Sequence, residues 1–237
     1  MKIAMWSGPR NLSTALMYSF GNRSDMSAID EPFYAAYLAK SGLDHPMRDK
    51  VLTSQSKDAN QIASALLEPD RTNHQYQKHM TQHMLSGFPR AWMSEVTNVF
   101  LIRHPARVLA SWSNKHDVLT LDDIGFVQQL ELYEFACSLG QTPVIVDSND
   151  IREDAEGTLR ALCNAIGLNW DDAMLSWPSG AKRYDGVWGE HWYDAVHRST
   201  GFAGAEGPLP ALSSDLEAIN EKALPIYERL AALKLSI

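Results

Sequence analysis

Short apolar runs alternate along the chain with stretches in which apolar residues recur every three or four positions. The first pattern is typical of buried β-strands and the second of amphipathic helices. Five strands are predicted, at 2–6, 27–30, 74–79, 97–103 and 143–146. Because a loop and a helical stretch follow each strand, the pattern favours an α/β fold, a three-layer sandwich around a central, mostly parallel five-stranded sheet.

The helical stretches lie at 13–20, 105–114, 126–137, 159–167 and 214–233. The segment 170–210 is rich in tryptophan, glycine and proline and has no sustained period, so it predicts a loop or lid. A chain of 237 residues with 45% hydrophobic composition can bury one sizeable core. We therefore predict a single domain over 1–237, with 170–210 as a loop or lid over its site.

The charge balance limits the classes of partner. A formal net charge of −8 argues against a general nucleic-acid binder, which would present a basic face to the phosphate backbone.

Cys137 and Cys163 lie in helical patterns without C-x-x-C spacing, so we expect buried thiols and neither a disulfide nor zinc. Because the sequence has no leader and no long apolar run, we expect a cytoplasmic protein without a membrane partner. We expect it to act on a small molecule, and the sequence does not indicate an oligomeric state.

The first predicted strand ends in Ser-Gly-Pro, and a helical pattern opened by hydroxyl residues follows it. A strand, a tight loop and a helix N-terminus form an anion cradle, because the N–H groups of the first helical turn have no partner within the helix. Arg10, Ser13 and Thr14 can add charge and hydrogen-bond donors. The segment predicts a phosphate or sulfate grip made of Gly8, Pro9, Arg10, Asn11, Leu12, Ser13 and Thr14.

Two features argue against a magnesium-dependent nucleoside-triphosphate site. The loop lacks the lysine of G-x-x-x-x-G-K-[ST]. The run at 97–103 ends in Arg103, where such enzymes often place an aspartate for the metal. His79 and His83 have the i, i+4 spacing of metal ligands on a helix, but a third ligand is missing. We therefore expect no metal.

Polar side chains follow four of the predicted strands. They are Arg10, Glu31, either Lys78 or His79, and Arg103. Since ligands of parallel sheets bind at the carboxyl ends of the strands, these side chains are expected to meet at one edge. Side chains alternate along a strand, so at most one of Lys78 and His79 faces that edge while the strand continues.

Two motifs carry a family resemblance: Ser-Gly-Pro-Arg-Asn-Leu-Ser-Thr after the first strand, and Phe-Leu-Ile-Arg-His-Pro-Ala-Arg-Val-Leu-Ala-Ser-Trp around Arg103. Over about residues 1–167, the chain resembles the sulfotransferases that use 3′-phosphoadenosine 5′-phosphosulfate (PAPS). The resemblance implies a P-loop nucleoside triphosphate hydrolase-like fold of the sulfotransferase type. It also implies PAPS as sulfuryl donor, adenosine 3′,5′-bisphosphate (PAP) as product, and no metal.

The resemblance further implies roles for single residues. The first loop would hold the 5′-phosphosulfate, with Leu12 at a position where glycine is usual in the family. Arg103 and Ser111 would hold the 3′-phosphate. Lys182 and Arg183 resemble the basic segment that closes over the nucleotide.

Three residues are candidates for the general base. Glu31 resembles the base of the tyrosylprotein-type members, whereas Lys78 and His79 lie where other members carry K-x-H. Arg10 is expected to stabilise the leaving phosphate. The predicted activity is sulfuryl transfer from PAPS to a hydroxyl or amine of an unidentified acceptor. Two alternatives stay open: an ATP-dependent small-molecule kinase on a P-loop fold, and a module that binds PAP without catalysis.

Overall fold

The computed structural model describes residues 1–113 and 119–236. Its sheet contains β1 (Lys2–Ser7), β2 (Met26–Asp30), β3 (His74–Met80), β4 (Thr97–Ile102) and β5 (Val144–Asp147). All neighbouring strands are parallel, in the order β2-β3-β1-β4-β5. The five predicted strands and the parallel sheet are therefore confirmed, with small shifts at the strand ends.

Helices cover both faces of this sheet. They are α1 (Ser13–Gly21), α2 (Tyr34–Ser41), α3 (Arg48–Ser54), α4 (Ala59–Leu67), α5 (Pro105–Trp112), α6 (Phe126–Ser138), α7 (Ser148–Glu153), α8 (Ala155–Ile166), α9 (Gly189–Trp192), α10 (Asp194–His197) and α11 (Ser214–Ala231). The helix predicted at 105–114 corresponds to α5, and residue 114 lies outside the described residues.

The alternation of side chains along β1 divides the core into two parts. Ile3 and Met5 pack with apolar residues of α1 and α8, whereas Ala4 and Trp6 pack with those of α4, α6 and α11. Successive residues of a strand point to opposite faces, so a strand buried on both sides has a continuous apolar sequence. The apolar run that opens the chain therefore lies at the centre of a three-layer sandwich.

Strand β1 lies at the position in the sheet where the order of the strands reverses. The chain fills the positions of β2 and β3 on one side of β1 and those of β4 and β5 on the other. In open parallel sheets, a crevice forms beyond the carboxyl ends of the strands at such a point. The loop between β1 and α1 opens into this crevice.

The segment 170–210, hereafter the 170–210 segment, contains α9, α10 and a 3-10 turn at Asp172–Leu175. Ser19 Oγ of α1 donates a hydrogen bond to the carbonyl oxygen of Met174 at 2.6 Å, and Trp188 is buried in the core. These contacts fasten both parts of the segment to the sandwich.

The expectation of two buried thiols is half right. Cys163 is buried, but Cys137 is exposed. Helix α6 turns Leu132 and Ala136 towards the sheet, so the residue after Ala136 points away from it. Across the described ranges, no helix is long and apolar enough to cross a bilayer.

Candidate functional site

A cavity of about 400 Å³ lies in the crevice beyond β1. The 170–210 segment forms part of the wall. Glu31 and Arg103, which directly follow β2 and β4, and Lys78, near the end of β3, also line the cavity. The sequence-predicted residues that line the cavity are Pro9, Arg10, Asn11, Leu12, Ser13, Thr14, Glu31, Lys78, Arg103 and Ser111. Side chains from separate parts of the chain therefore converge at one edge of the sheet, as predicted.

The loop between β1 and α1 has a backbone of unusual shape. Arg10 and Leu12 have φ angles of 61° and 70°, in the left-handed region that favours glycine. Leu12 thus adopts the backbone that glycine would provide without strain. Gly8 does not line the cavity. Its Cα packs so closely against the carbonyl oxygen of Ile124 that a Cβ would collide with it.

The amino end of α1 is open towards a ligand. Leu12 is the N-cap residue and provides no side-chain hydrogen bond to the helix. The first-turn N–H groups therefore keep their donor capacity, and the helix dipole adds partial positive charge. Asn11 ties the loop to β4 by donating from Nδ2 to the carbonyl oxygen of Leu101 at 3.3 Å.

Arg10 and Ser111 lie in contact in the wall of the cavity. Nε of Arg10 donates to Oγ of Ser111 at 2.9 Å, and Nη1 of Arg103 donates to the carbonyl oxygen of Arg10 at 2.5 Å. Burial and the neighbouring Arg103 lower the pKa of Arg10. The two motifs that carry the family resemblance thus meet in one basic site.

Three arginines surround one carboxylate at this end of the cavity. Nε of Arg103, Nε of Arg107 and Nη1 of Arg152 lie 3.3, 3.5 and 3.1 Å from the carboxylate oxygens of Glu206. A second nitrogen of Arg103, Nη2, also donates to Glu206. We call Arg103, Arg107 and Arg152 the arginine triad. Because the arginine triad carries three positive charges and Glu206 only one negative charge, two positive charges have no counter-charge within this group. The group therefore suits a further anion.

On the other side of β1, where β2 and β3 end, a lysine lies between two carboxylates. Lys78 Nζ donates to Oδ1 of Asp30 at 3.0 Å, to Oε1 of Glu31 at 2.6 Å and to the hydroxyl of Tyr193 at 2.6 Å. The Tyr193 hydroxyl in turn donates to Oδ2 of Asp30 at 2.8 Å. These four residues, hereafter the carboxylate cluster, are all buried.

Within the carboxylate cluster, the pKa values of Glu31 and Lys78 indicate which of the two can accept a proton. Burial raises the pKa of Glu31, and the nearby Lys78 charge offsets part of that rise. Burial alone would lower the pKa of Lys78, but Asp30 and Glu31 together raise it above its ordinary value. Lys78 therefore stays protonated at neutral pH, and Glu31 is the better proton acceptor of the two.

His79, a candidate base by sequence, does not reach the cavity. Strand β3 continues through Met80, so the alternation that turns Lys78 towards the cavity turns His79 to the other face. There its ring stacks on Trp6 at 4.4 Å between centroids and lies 5.2 Å from Trp92. Burial lowers the pKa of His79 to about 3. His79 therefore contributes to packing in the opposite core layer.

Lys182 and Arg183 also lie outside the cavity lining, contrary to the expectation that they would close over a nucleotide. Lys182 Nζ donates to the carbonyl oxygen of Gly180 at 3.0 Å and lies 5.0 Å from the centre of the Tyr18 ring. The backbone N–H of Lys182 donates to Asp185, which also accepts a hydrogen bond from Tyr18. These contacts fold the turn against α1, and Arg183 is exposed.

Sequence reasoning missed several residues of the site. Arg107, Arg152 and Glu206 complete the group around Arg103, and His83 lines the cavity beside Glu31. The sequence spacing suggests for His83 only a metal-ligand role together with His79. The described ranges contain no group of three His, Cys, Asp or Glu side chains placed to hold a metal ion.

The chain is similar to known proteins over almost its whole length. Residues 1–234 match a family model described as a sulfotransferase domain. Two Arabidopsis thaliana proteins, named branched-chain-amino-acid aminotransferase-like proteins 2 and 1, are each 34% identical over 96% of this chain. The chain spans 41% of the length of each.

A crystal structure of a sulfotransferase from Alicyclobacillus acidocaldarius superposes with a TM-score of 0.56 and 11% identity, covering 98% of this chain and 94% of the other. At this identity the likeness concerns the fold alone. It confirms the predicted α/β fold of the P-loop-like sulfotransferase type.

Proposed function

Because the chain belongs to the sulfotransferase domain family, we propose that it transfers a sulfuryl group from PAPS to a hydroxyl or amine of a small acceptor. One observation carries the proposal: a single cavity is lined by a basic group, formed by the α1 N-terminus, Arg10 and Arg103, and by a buried carboxylate, Glu31, which follows β2 on the other side of β1 from Arg103. The basic group suits a doubly phosphorylated donor. The carboxylate suits an acceptor that must lose a proton.

The loop between β1 and α1 would hold the 5′-phosphosulfate of the donor. The N–H groups at the start of α1, the hydroxyls of Ser13 and Thr14 and the Arg10 guanidinium are the donors available to its oxygens. When the bond to the sulfuryl group breaks, negative charge develops on the phosphate that leaves. Arg10 and the helix N-terminus would stabilise that charge without a metal ion.

Ser111 and the arginine triad would hold the 3′-phosphate. Arg103 and Arg152 line the cavity, and Ser111 lies beside Arg10 within the same wall. The excess of positive charge around Glu206 fits a dianionic group, for which guanidinium is the favoured bidentate donor. A 3′-phosphate is the feature that distinguishes PAPS from ADP or ATP at such a site.

Glu31 would take the proton of the acceptor. Its raised pKa makes it a stronger base than an ordinary glutamate, while Lys78 keeps it from being fully neutralised by burial. Lys78, held by three hydrogen bonds, orients the carboxylate through Oε1. The base is therefore held in one orientation in the cavity wall.

Calorimetric titration with PAP, ADP and Mg-ATP tests this function. We expect PAP to bind at least about tenfold more tightly than ADP, because only PAP carries the 3′-phosphate. Release of PAP from PAPS, with an acceptor or with water, then separates an enzyme from a module that only binds the nucleotide. Preference for Mg-ATP would overturn the proposal and favour a kinase.

A further inference from the structure

The hydroxyl of Tyr193 lies in the carboxylate cluster, although its residue belongs to the 170–210 segment. Its oxygen accepts hydrogen bonds from Lys78 Nζ at 2.6 Å and from Trp188 Nε1 at 3.0 Å. Because two donors occupy the accepting positions of this oxygen, the hydroxyl proton is left for an acceptor on a third side. Burial and the charge of Asp30 raise the pKa of Tyr193 well above its ordinary value, so the proton stays on the oxygen.

The acceptor on that third side is a carboxylate. The Tyr193 hydroxyl lies 2.8 Å from Oδ2 and 3.0 Å from Oδ1 of Asp30, and 3.3 Å from Oε1 of Glu31. One O–H group therefore serves two buried carboxylates, whose like charges disfavour each other's ionisation. A hydrogen bond donated to a carboxylate stabilises its charged form, so this hydroxyl helps both groups to stay ionised.

The 170–210 segment reaches the carboxylate cluster at a second point. The backbone N–H of Gly186 donates to Oδ2 of Asp30 at 3.0 Å. Trp188, which donates to the Tyr193 hydroxyl, is itself buried in the core. Backbone and side-chain contacts of one short stretch therefore hold the Tyr193 hydroxyl in place beside the candidate base.

The hydrogen bonds of the Glu31 carboxylate fall on one of its two oxygens. Oε1 accepts from Lys78 at 2.6 Å and lies 3.3 Å from the Tyr193 hydroxyl. Oε2 lies 3.9 Å from Nδ1 of His83, which is beyond hydrogen-bond distance. A carboxylate held through one oxygen keeps a fixed orientation, and its other oxygen remains able to take a proton.

We propose that Tyr193 is a positioning residue for Glu31: its hydroxyl, supplied by the 170–210 segment, keeps the Glu31 carboxylate oriented and ionised so that it can take the proton of the acceptor. The inference rests on the proposed function, in which Glu31 is the base. Tyr193 acts through Glu31 rather than on the reacting atoms. The 170–210 segment thereby completes the base as well as forming part of the cavity wall.

The titratable groups that face Glu31 come from the elements packed around it: Asp30 of β2, Lys78 of β3, His83 of the 3-10 turn Thr81–His83, Tyr34 of α2 and Tyr193 of the 170–210 segment. Burial raises the pKa of Glu31, the Lys78 charge lowers it, Asp30 raises it, and the hydrogen bond with Tyr193 lowers it. Burial lowers the pKa of His83 and raises that of Tyr34, so both are neutral at neutral pH. Loss of the Tyr193 hydroxyl therefore raises the pKa of Glu31 and moves the acid limb of the activity to higher pH.

Tyr193→Phe keeps the ring and removes the hydroxyl, and Tyr184→Phe is the matched control. Tyr184 also carries its hydroxyl in the 170–210 segment, but its ring packs edge-on against Tyr18 at 6.0 Å between centroids and does not line the cavity. The measurement is the pH profile of kcat for PAP release from PAPS, in water alone and with benzyl alcohol as the probe hydroxyl. For Tyr193→Phe we expect the midpoint of the acid limb to rise by about 1 pH unit, so that kcat well below the midpoint falls about tenfold more than kcat on the plateau. Tyr184→Phe should match wild type at every pH.

A double-variant comparison separates positioning from packing. If Tyr193 acts through Glu31, adding Tyr193→Phe to Glu31→Gln lowers the residual kcat by less than about twofold, whereas a packing role lowers kcat by the same factor in both backgrounds. Should Tyr193→Phe fail to fold, 3-fluorotyrosine in place of Tyr193 keeps the shape of the side chain and makes its hydroxyl a stronger donor. The midpoint of the acid limb should then fall, because the ionised form of Glu31 is stabilised further.

Calorimetric PAP binding accompanies each profile, and we expect the Kd for PAP within about twofold of wild type throughout, because the change concerns the base and not the donor site. A wild-type acid limb that neither change at Tyr193 moves, or an equal loss of kcat in both backgrounds, would overturn the inference alone. Wild-type protein that neither binds PAP nor releases it from PAPS would overturn the proposed function, and the inference with it.

Discussion

The guanidinium of Arg103 pairs with the carboxylate of Glu206, a residue 103 positions later in the chain, and Nε of Arg103 lies 3.3 Å from Oε2. Glu206 thus occupies the anion position that Arg103 would offer to a 3′-phosphate. The side chains of both residues are more than four-fifths buried. The segment that carries Glu206 is also tied to Arg152, which donates from Nε to the carbonyl oxygen of Gly204 at 2.8 Å.

Removing this carboxylate should tighten nucleotide binding. In Glu206→Gln, a 3′-phosphate no longer competes with an internal anion for the arginine triad, so we expect the calorimetric Kd for PAP to fall about tenfold. The ligand-free protein should melt at a lower temperature, because three partly buried guanidinium groups lose their shared counter-charge.

Glu190→Gln provides the matched control. Glu190 pairs with Lys50 at 2.9 Å on the exposed surface, and such pairs contribute little to stability. Neither PAP affinity nor melting temperature should change in this variant. Weaker PAP binding in Glu206→Gln would instead mean that Glu206 stays in place and supports the nucleotide.

Arg10 should matter for turnover more than for folding. In Arg10→Ala, the leaving phosphate loses a donor fixed by its contact with Ser111, so we expect kcat for PAP release to fall about 100-fold while the melting temperature changes little. Arg10→Lys keeps the positive charge and should retain about a tenth of the activity. Equal losses of activity and stability in Arg10→Ala would contradict a catalytic role.

Leu12 should tolerate glycine. Its φ of 70° is strained for leucine and relaxed for glycine, although the leucine side chain also packs against the core. We expect Leu12→Gly to change the free energy of unfolding by no more than about 1 kcal/mol and to leave the Kd for PAP within about twofold. Chemical denaturation and calorimetry measure both quantities. A large loss of PAP affinity would show that the Leu12 side chain, rather than the loop backbone, supports the site.

The sequence predicted those parts of the site that follow from local pattern. The apolar runs locate the strands, and the alternation along β3 explains why only one of Lys78 and His79 reaches the cavity. The pattern ends the third strand at His79, whereas β3 continues for one more residue, to Met80. Beyond Met80 the chain forms a 3-10 turn, which brings His83 to the cavity wall without any periodic signal.

Long-range pairs were beyond the reach of pattern. Glu206 meets Arg103, Arg107 and Arg152 from a segment without sustained period, and no local feature of the sequence links these four residues. Lys182 and Arg183 illustrate the converse error. Their sequence resembles a nucleotide-closing segment, but hydrogen bonds with Gly180 and Asp185 turn the segment onto α1.

The base assigned to Glu31 predicts an acid limb in the pH profile. Glu31 must be ionised to accept a proton, and burial raises its pKa above the ordinary value of about 4.3. We therefore expect kcat for PAP release to fall as the pH drops through that raised pKa. Glu31→Gln should lower kcat at least about 100-fold and abolish the acid limb of any residual activity. An unchanged acid limb in Glu31→Gln would assign it to another group.

The carboxylate cluster also predicts how stability depends on pH once its cation is removed. In Lys78→Met, Asp30 and Glu31 remain buried without their shared partner, so we expect a loss of about 3 to 5 kcal/mol in the free energy of unfolding near pH 8. Without the lysine charge, which lowers the pKa of Glu31, that pKa rises further above its unfolded value. The folded state then holds a proton that the unfolded chain has released.

A group whose pKa is raised by folding supports stability at low pH and loses that contribution as the pH rises. The deficit of Lys78→Met relative to wild type should therefore be smaller at pH 5 than at pH 8, as measured by thermal unfolding at both values. Lys50→Met, which breaks only the exposed pair with Glu190, should show no such dependence. An equal deficit of Lys78→Met at pH 5 and pH 8 would mean that Glu31 does not take up a proton when Lys78 is absent, and that the lysine contributes through packing rather than charge.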